Sequence, residues 1–436
     1  MKKIIASAVG LMMAGGVATT ASAAVEHQFG GYWRTRFIVE DNFQGEPEFI
    51  QLTPTLAVLN LNSLYENDVD SREYVDTRTR LFYTAKFNDD FKFINKFEFN
   101  TGWGDNVGGD IGADGKGNWR IKNSYADFNM GPVNAKVGIQ GAVIARGFIL
   151  DDDFAGVVVT PKFGNVSIPL VWANLSNEDT QSWDGAAVPD FNQNLFAVLA
   201  AIKISDTITV IPYGVYHPIS AHETLEDTDN WYAGVDADLK FGAVSVWGTG
   251  IYNGGTVGTL GGGEVDTSAF LFAAGADAGI VHGQAFYASG DDDAFDGDND
   301  TFISAPGTTT PLGISTRSPG VGSSYYWAEI LGLGAFDNRA SNGSPGDDIS
   351  NIWAANAGVT LKPMDKLRID ADVWYAELAE EDFRGNTELG VEFDGKLTYT
   401  IMENLTAEGI FAYLISGDAT GEEDVMEGGV RLSLKF

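Results

Sequence analysis

The sequence predicts an all-β protein, a closed antiparallel transmembrane β-barrel of about 18 strands (range about 16–18), and three observations predict it. From residue 24 onward, period-two alternation divides the chain into about eighteen segments of roughly 9–16 residues, long enough to cross a bilayer at a tilt. Short and long connections alternate between these segments. The last segment, Val430 to Phe436, sets Val430, Leu432, Leu434 and Phe436 on one face and its charged or polar residues on the other.

The chain opens with Lys2 and Lys3, an apolar run from Ile4 to Val17, and the small residues Ala21-Ser22-Ala23. This pattern describes a secretory signal peptide over 1–23. The barrel is expected over 24–436, with inserted loops at 41–71, 142–153 and 290–349. No other stretch supplies the roughly 20 apolar residues of a spanning helix.

The segments run near 28–40, 72–87, 91–103, 118–130, 133–141, 154–163, 166–175, 192–204 and 206–216. They continue near 230–241, 243–253, 266–278, 280–289, 350–361, 366–377, 386–400, 403–415 and 425–436. Connections at 88–90, 131–132, 164–165, 205, 242, 279, 362–365 and 401–404 are tight and alternate with longer ones. Short periplasmic turns and long extracellular loops fit a transmembrane barrel, whereas a soluble sandwich has no reason to sort its loops. Closure follows because an open sheet edge in hydrocarbon would leave backbone groups unpaired.

Apolar stripes mark the lipid face: Val75, Leu81, Tyr83, Ala85 and Phe87; then Phe91, Phe93, Phe97 and Phe99; then Val133, Ala135, Val137 and Ile139. Phe87, Phe91, Phe163, Trp172 and Phe241 lie near strand ends, where an aromatic girdle belongs. Residues 118–130 change parity, which implies a bulge. If Asn88-Asp89-Asp90 forms a three-residue hairpin loop, Lys86 faces Lys92 and Arg80 faces Glu98. Leu56 to Leu61 reads as a short helix or strand folded inward, and Tyr325 to Trp327 with Ile330 to Leu333 as an extra hairpin.

Composition narrows the function. The absence of cysteine excludes Cys-x-x-Cys-His haem attachment, iron–sulfur ligation and disulfides. The formal charge of −34 becomes −36 without Lys2 and Lys3, and argues against a nucleic-acid partner. Four histidines and no hydrolase or nucleotide-binding motif leave catalysis without support, so no enzyme activity is expected.

The charge is unevenly placed. Arg34, Arg36, Arg78, Arg80, Lys92, Lys96 and Lys136 fall on the non-lipid parity, and Arg120 and Lys122 join them subject to the bulge. Residues i and i+2 lie about 7 Å apart, so the two Arg-Thr-Arg pairs set four guanidinium groups on one inner wall. Turned outward at midplane, each would cost about 2–4 kcal/mol. Two compatible roles follow: ion selection, or neutralising Asp76 and Glu98 and stiffening the wall. The connection 142–153 is unusually apolar and carries Arg146 on one side and Asp151, Asp152 and Asp153 on the other. It is the candidate constriction, folded inward so that the basic wall faces these carboxylates; the alternative is a loop packed on the rim. Asp296, Asp298 and Asp300 are spaced like a calcium loop, but Thr301 replaces Gly at position six and Gly307 replaces Glu at position twelve. This is not an EF-hand, and a surface calcium or magnesium site competes with a solvated acidic tip.

The terminal amphipathic strand ending on an aromatic residue resembles Gram-negative outer-membrane β-barrels. Glu73-Tyr-Val-Asp-Thr-Arg-Thr-Arg-Leu81, Asn123-Ser-Tyr-Ala-Asp-Phe128 and Val137-Gly-Ile-Gln140 are similar to alginate-export-like barrels and to major porins of metal-reducing deltaproteobacteria. Ile139 stands before Gln140 where that family often has Arg. The resemblance implies an eighteen-stranded barrel in the outer membrane and passive transport, without supplying a substrate. The expected function is a porin passing small hydrophilic solutes and ions through a charged lumen, with no cofactor. Its partners are outer-membrane lipid and lipopolysaccharide; a homotrimer is common at this size. The alternatives are a substrate-specific channel or polysaccharide exporter, and a plugged structural or adhesive barrel.

Overall fold

A computed structural model describes residues 25–43, 71–104, 119–176, 192–220, 227–259, 263–292, 297–303, 325–332, 349–382, 385–421 and 423–436, with short pieces at 49–53, 56–59, 308–309, 315–316, 334 and 336. The expected signal peptide lies outside the described residues. Eighteen strands form the wall. The first nine are β1 (Glu26–Asp41), β2 (Arg72–Asn88), β3 (Phe91–Gly102), β4 (Trp119–Met130), β5 (Val133–Ile144), β6 (Leu150–Phe163), β7 (Val166–Ser167 with Leu170–Ser176), β8 (Asn192–Leu199 with Ala201–Lys203) and β9 (Ile208–Ser220). The others are β10 (Thr228–Phe241), β11 (Val244–Thr259), β12 (Gly263–Ala278), β13 (Val281–Ala288), β14 (Ile352–Met364), β15 (Leu367–Leu378), β16 (Glu388–Met402), β17 (Leu405–Ser416) and β18 (Val425–Lys435).

Each strand pairs antiparallel with its neighbours in sequence, and β1 pairs with both β2 and β18. The sheet is therefore closed and has no edge. At the seam, Gly31 N–H donates to the Phe436 carbonyl at 2.6 Å and Phe436 N–H donates to the Gly31 carbonyl at 3.1 Å. Gly31 is required here because a Cβ would collide with the Phe436 ring. The interruption in β7 falls at Ile168-Pro169, where proline removes a ladder donor.

The alternation read from sequence is realised around the wall. Phe37, Leu81, Phe99, Val235, Leu397 and Val430 are exposed on the outer face. A belt that wide and apolar in a closed sheet is a lipid-facing surface. Near the long-loop rim, nine consecutive strands each carry one outward aromatic residue: Trp172, Phe196, Tyr216, Trp231, Tyr252, Phe270, Tyr287, Trp353 and Tyr375. Trp231 and Tyr252 lie 5.3 Å apart, as do Trp353 and Tyr375. At the short-turn rim, Phe87 stacks on Phe91 at 4.7 Å and Phe163 and Phe241 are exposed. Trp172 therefore belongs to the belt opposite the rim that holds Phe87, Phe91, Phe163 and Phe241. No helix among the described residues is long and apolar enough to cross a membrane.

The β2–β3 register places Arg80 opposite Glu98 and Lys86 opposite Lys92 as expected, but the connection is a two-residue turn, Asp89-Asp90, with Asn88 opposite Phe91 and a bulge at Phe87, rather than a three-residue loop. The parity change in β4 is a bulge: Lys96 faces Asn123 while Phe97 faces Ile121, leaving Lys122 as the extra residue. Two long connections are shorter than expected, because β5 and β6 pair as far as Ile144–Leu150 and β11 and β12 as far as Thr259–Gly263. Most of 142–153 is therefore strand, with a tip at 145–149. Leu56–Leu59 is a strand paired with Phe49–Thr53. Residues 325–332 are ordered but form no hairpin.

Candidate functional site

The inward faces of β1 to β5 carry the expected basic wall. Glu98 on β3 sits at its centre, 2% exposed. Its Oε2 lies 2.6 Å from Arg80 Nη2 and 3.6 Å from Arg78 Nε, and its Oε1 lies 3.5 Å from Arg120 Nε. Asn100 Nδ2 donates to Oε1 at 3.0 Å and its own Oδ1 accepts from Arg78 Nε at 2.7 Å. One carboxylate is thus shared by guanidinium groups from two neighbouring strands. The bulge in β4 lets both Arg120 and Lys122 turn inward. Lys92 pairs with Asp127 at 3.2 Å. Lys96 lies over the Phe82 ring at 5.6 Å, and Lys136 over Tyr125 at 5.8 Å.

Arg34 and Arg36 share this face but differ from the expectation of open pore-lining residues, being 4% and 6% exposed. Arg36 bonds Asp76 and the Phe336 carbonyl, so a chain segment covers it. That segment comes from the longest connection. Phe336 packs on Ile38 and Ile410, with the Arg431 guanidinium 5.3 Å over its ring.

Two loops meet inside the barrel. The tip of the β5–β6 hairpin buries Ile144, Phe148, Ile149 and Leu150 in an apolar cluster that reaches β8 through β18. Gly138 and Gly156 face each other lower in the hairpin. At Gly138, φ is +131°, and a Cβ there would strike the Ser124 carbonyl. From the other side, Tyr325 and Trp327 join the same cluster. Phe148 stacks on Tyr325, and Trp327 meets Phe286 at 5.2 Å and Trp374 at 5.4 Å. Burial pushes the Tyr325 hydroxyl's pKa up. The segment is pinned by Glu392 of β16, whose Oε1 accepts from Ile330 N–H at 2.7 Å and Oε2 from Leu331 N–H at 2.8 Å.

The hairpin charges divide between the two walls. Arg146 crosses to the far side, where Nη2 meets Asp238 at 3.0 Å, Nε donates to Thr249 at 3.0 Å and the guanidinium lies over Trp247 at 5.0 Å. Asp153 instead pairs with Lys122 and lies 3.3 Å from Asn123 Nδ2, in contact with the basic wall. Asp152 and Asp151 precede it on β6, and Asp151 is paired in register with Val143. The wall formed by β10 and β15 to β17 is rich in inward carboxylates: Asp236, Asp238, Asp370, Asp372, Asp394 and Glu408. Asp372 meets His282 at 2.8 Å, and Glu408 binds Arg431 at 2.6 Å and Lys396 at 3.1 Å.

The structure thus unites Arg78, Arg80, Arg120 and Glu98, separates Arg146 from Asp153, and covers Arg34 and Arg36. The sequence reading passed over Glu392, Asp238 and Arg431. Their inward parity is visible, but the loop or tip each one meets is distant in sequence. Asp296 lies outside the described residues; Asp298 and Asp300 are exposed. Among the described residues no group of three or more His, Asp or Glu could hold a metal ion.

No protein-family model and no curated protein matches this sequence. Solved structures do. A BenF-like porin from Pseudomonas fluorescens Pf-5 superposes with TM-score 0.54 at 10% identity, covering 94% of this chain and 98% of that one. OpdQ of Pseudomonas aeruginosa gives 0.54 at 12% identity, with 94% and 97% covered. The outer membrane protein opdK of Pseudomonas aeruginosa gives 0.53 at 11% identity, with 94% and 98% covered. The chain has the eighteen-strand porin fold. These likenesses span nearly the whole of each chain, so the barrel accounts for almost all of the described protein.

Proposed function

We propose that this protein is an outer-membrane porin through which small hydrophilic solutes and ions diffuse passively. The observation that carries this reading is a closed barrel, apolar outside, whose inner wall is cationic over β1–β5 and rich in carboxylates on β10 and on β15–β17. Charged side chains facing inward suit a polar path, and stretches of wall of opposite sign orient dipolar solutes. The inner loops crowd the β8–β17 side with apolar side chains. The path that remains runs beside Arg78, Arg80, Arg120 and Lys122, so anions are preferred.

The sequence likeness of segments 73–81, 123–128 and 137–140 to alginate-export-like barrels supports an origin near that group, with a small-solute pore rather than a polysaccharide exporter. The reading also includes a signal peptide over 1–23, lipopolysaccharide around the barrel, and no cofactor. Planar-bilayer recording of the purified protein tests it. A steady open level with a reversal potential on the anion side in a potassium chloride gradient is expected; a bilayer that never shows an open level would sink the channel reading.

A further inference from the structure

We propose that Glu98 is a tethered counter-ion of the Arg78–Arg80–Arg120 cluster, competing with anions in transit for the same guanidinium groups and so shortening their stay. The inference rests on the solute path along the basic wall proposed above. Three observations support it. The carboxylate is 2% exposed, while the side chains of Arg78, Arg80 and Arg120 are 20%, 28% and 60% exposed, so the cations meet water and the anion lies beneath them. It holds Arg80 through both Nε at 2.7 Å and Nη2 at 2.6 Å, while Arg120 Nε lies at 3.5 Å and Arg78 Nε, which donates to Asn100, at 3.6 Å. The Nε–Nη edge of Arg80 is the edge with which a guanidinium grips a carboxylate in two-point fashion. Glu98 is itself positioned from the side by Asn100 at 3.0 Å rather than left to swing.

A conducting site must attract its ion yet release it. Three guanidinium groups without an internal anion would hold a passing anion tightly and slow the flux. With Glu98 in place the cluster keeps a net attraction of two charges, and an entering anion displaces a partner already present. Release is then helped by the carboxylate's return. Glu98 acts on the solute through the arginines, so it is a positioning residue rather than a direct contact.

Purified wild type, Glu98→Gln and Glu98→Asp in planar bilayers test this. Reversal potential is read in a potassium chloride gradient, and conductance is read against potassium acetate concentration. Glu98→Gln is expected to move the reversal potential further to the anion side and to lower the half-saturating acetate concentration about fivefold, roughly what one unit charge a few ångströms away is worth in water. Glu98→Asp, with the charge retracted by one methylene, moves both in the same direction but less, and keeps the test open should the Gln variant not assemble. If either variant leaves half-saturation unchanged or shifts selectivity toward cations, Glu98 merely holds the arginines in place and the proposal fails. A wild type without anion preference would defeat the solute path itself, separately from the shift that the variants show.

Discussion

The rings of Phe148 and Tyr325 are stacked 3.9 Å apart with planes 19° from parallel, joining the β5–β6 hairpin tip to the longest connection inside the barrel. Phe148→Ala removes the shared surface, and buried Phe→Ala changes cost about 3–5 kcal/mol. The expected outcome is a larger and noisier single-channel conductance with a lower unfolding midpoint in detergent. A conductance identical to wild type would mean that the junction lies off the solute path.

Arg146 combines a strained backbone with a well-held side chain. Its φ is +57°, and that of Ala145 is +52°. A left-handed conformation costs a non-glycine residue roughly 1–2 kcal/mol, and the bonds to Asp238 and Thr249 hold it there. Arg146→Ala and Arg146→Gly both free the tip and raise open-channel noise. The glycine variant should be the more stable of the two by about 1 kcal/mol, since glycine adopts this φ without penalty. Urea unfolding of the two variants measures the difference.

Glu392 gives both oxygens to the Ile330 and Leu331 amides. In Glu392→Gln one oxygen becomes an NH2 group, which sets donor against donor at a cost of about 1–3 kcal/mol. Residues 325–332 should then become cleavable by an added protease in reconstituted vesicles under conditions in which the wild type resists. Unchanged resistance would assign the anchoring to Trp327 and its aromatic neighbours.

Gly138 and Gly156 face each other in the hairpin that enters the lumen. Gly138→Ala would place a methyl group against the Ser124 carbonyl with φ at +131°. The expected result is a reduced fraction of folded barrel, read as the heat-modifiable band on a gel, with little protein migrating at the wild-type position.

Much of the barrel was legible because its causes are local. The loop after Lys86 fixes which residues face each other, so Arg80 and Glu98 could be paired without coordinates. The clash of parity between Trp119, Ile121 and Tyr125 on one side and Ala126 and Phe128 on the other revealed the bulge because a strand's period is two. The inner furniture was much less legible. Ala142 to Leu150 alternates too weakly to declare itself strand, and its direction depends on glycines at Gly138 and Gly156 that read as ordinary. Trp327 shows its burial only once Phe286 and Trp374 are brought beside it by strands far apart in the chain. Arg34 and Arg36 carry the right parity, but parity says nothing about a covering segment that arrives at Phe336 from another part of the chain.

The bonded pair of Gly31 and Phe436 makes each of these residues a rung of the wall. The cylinder therefore cannot be sealed until the segment that carries Phe436 has docked on β1. A label attached beside Phe436 would crowd that join, which makes a long loop the safer place for one.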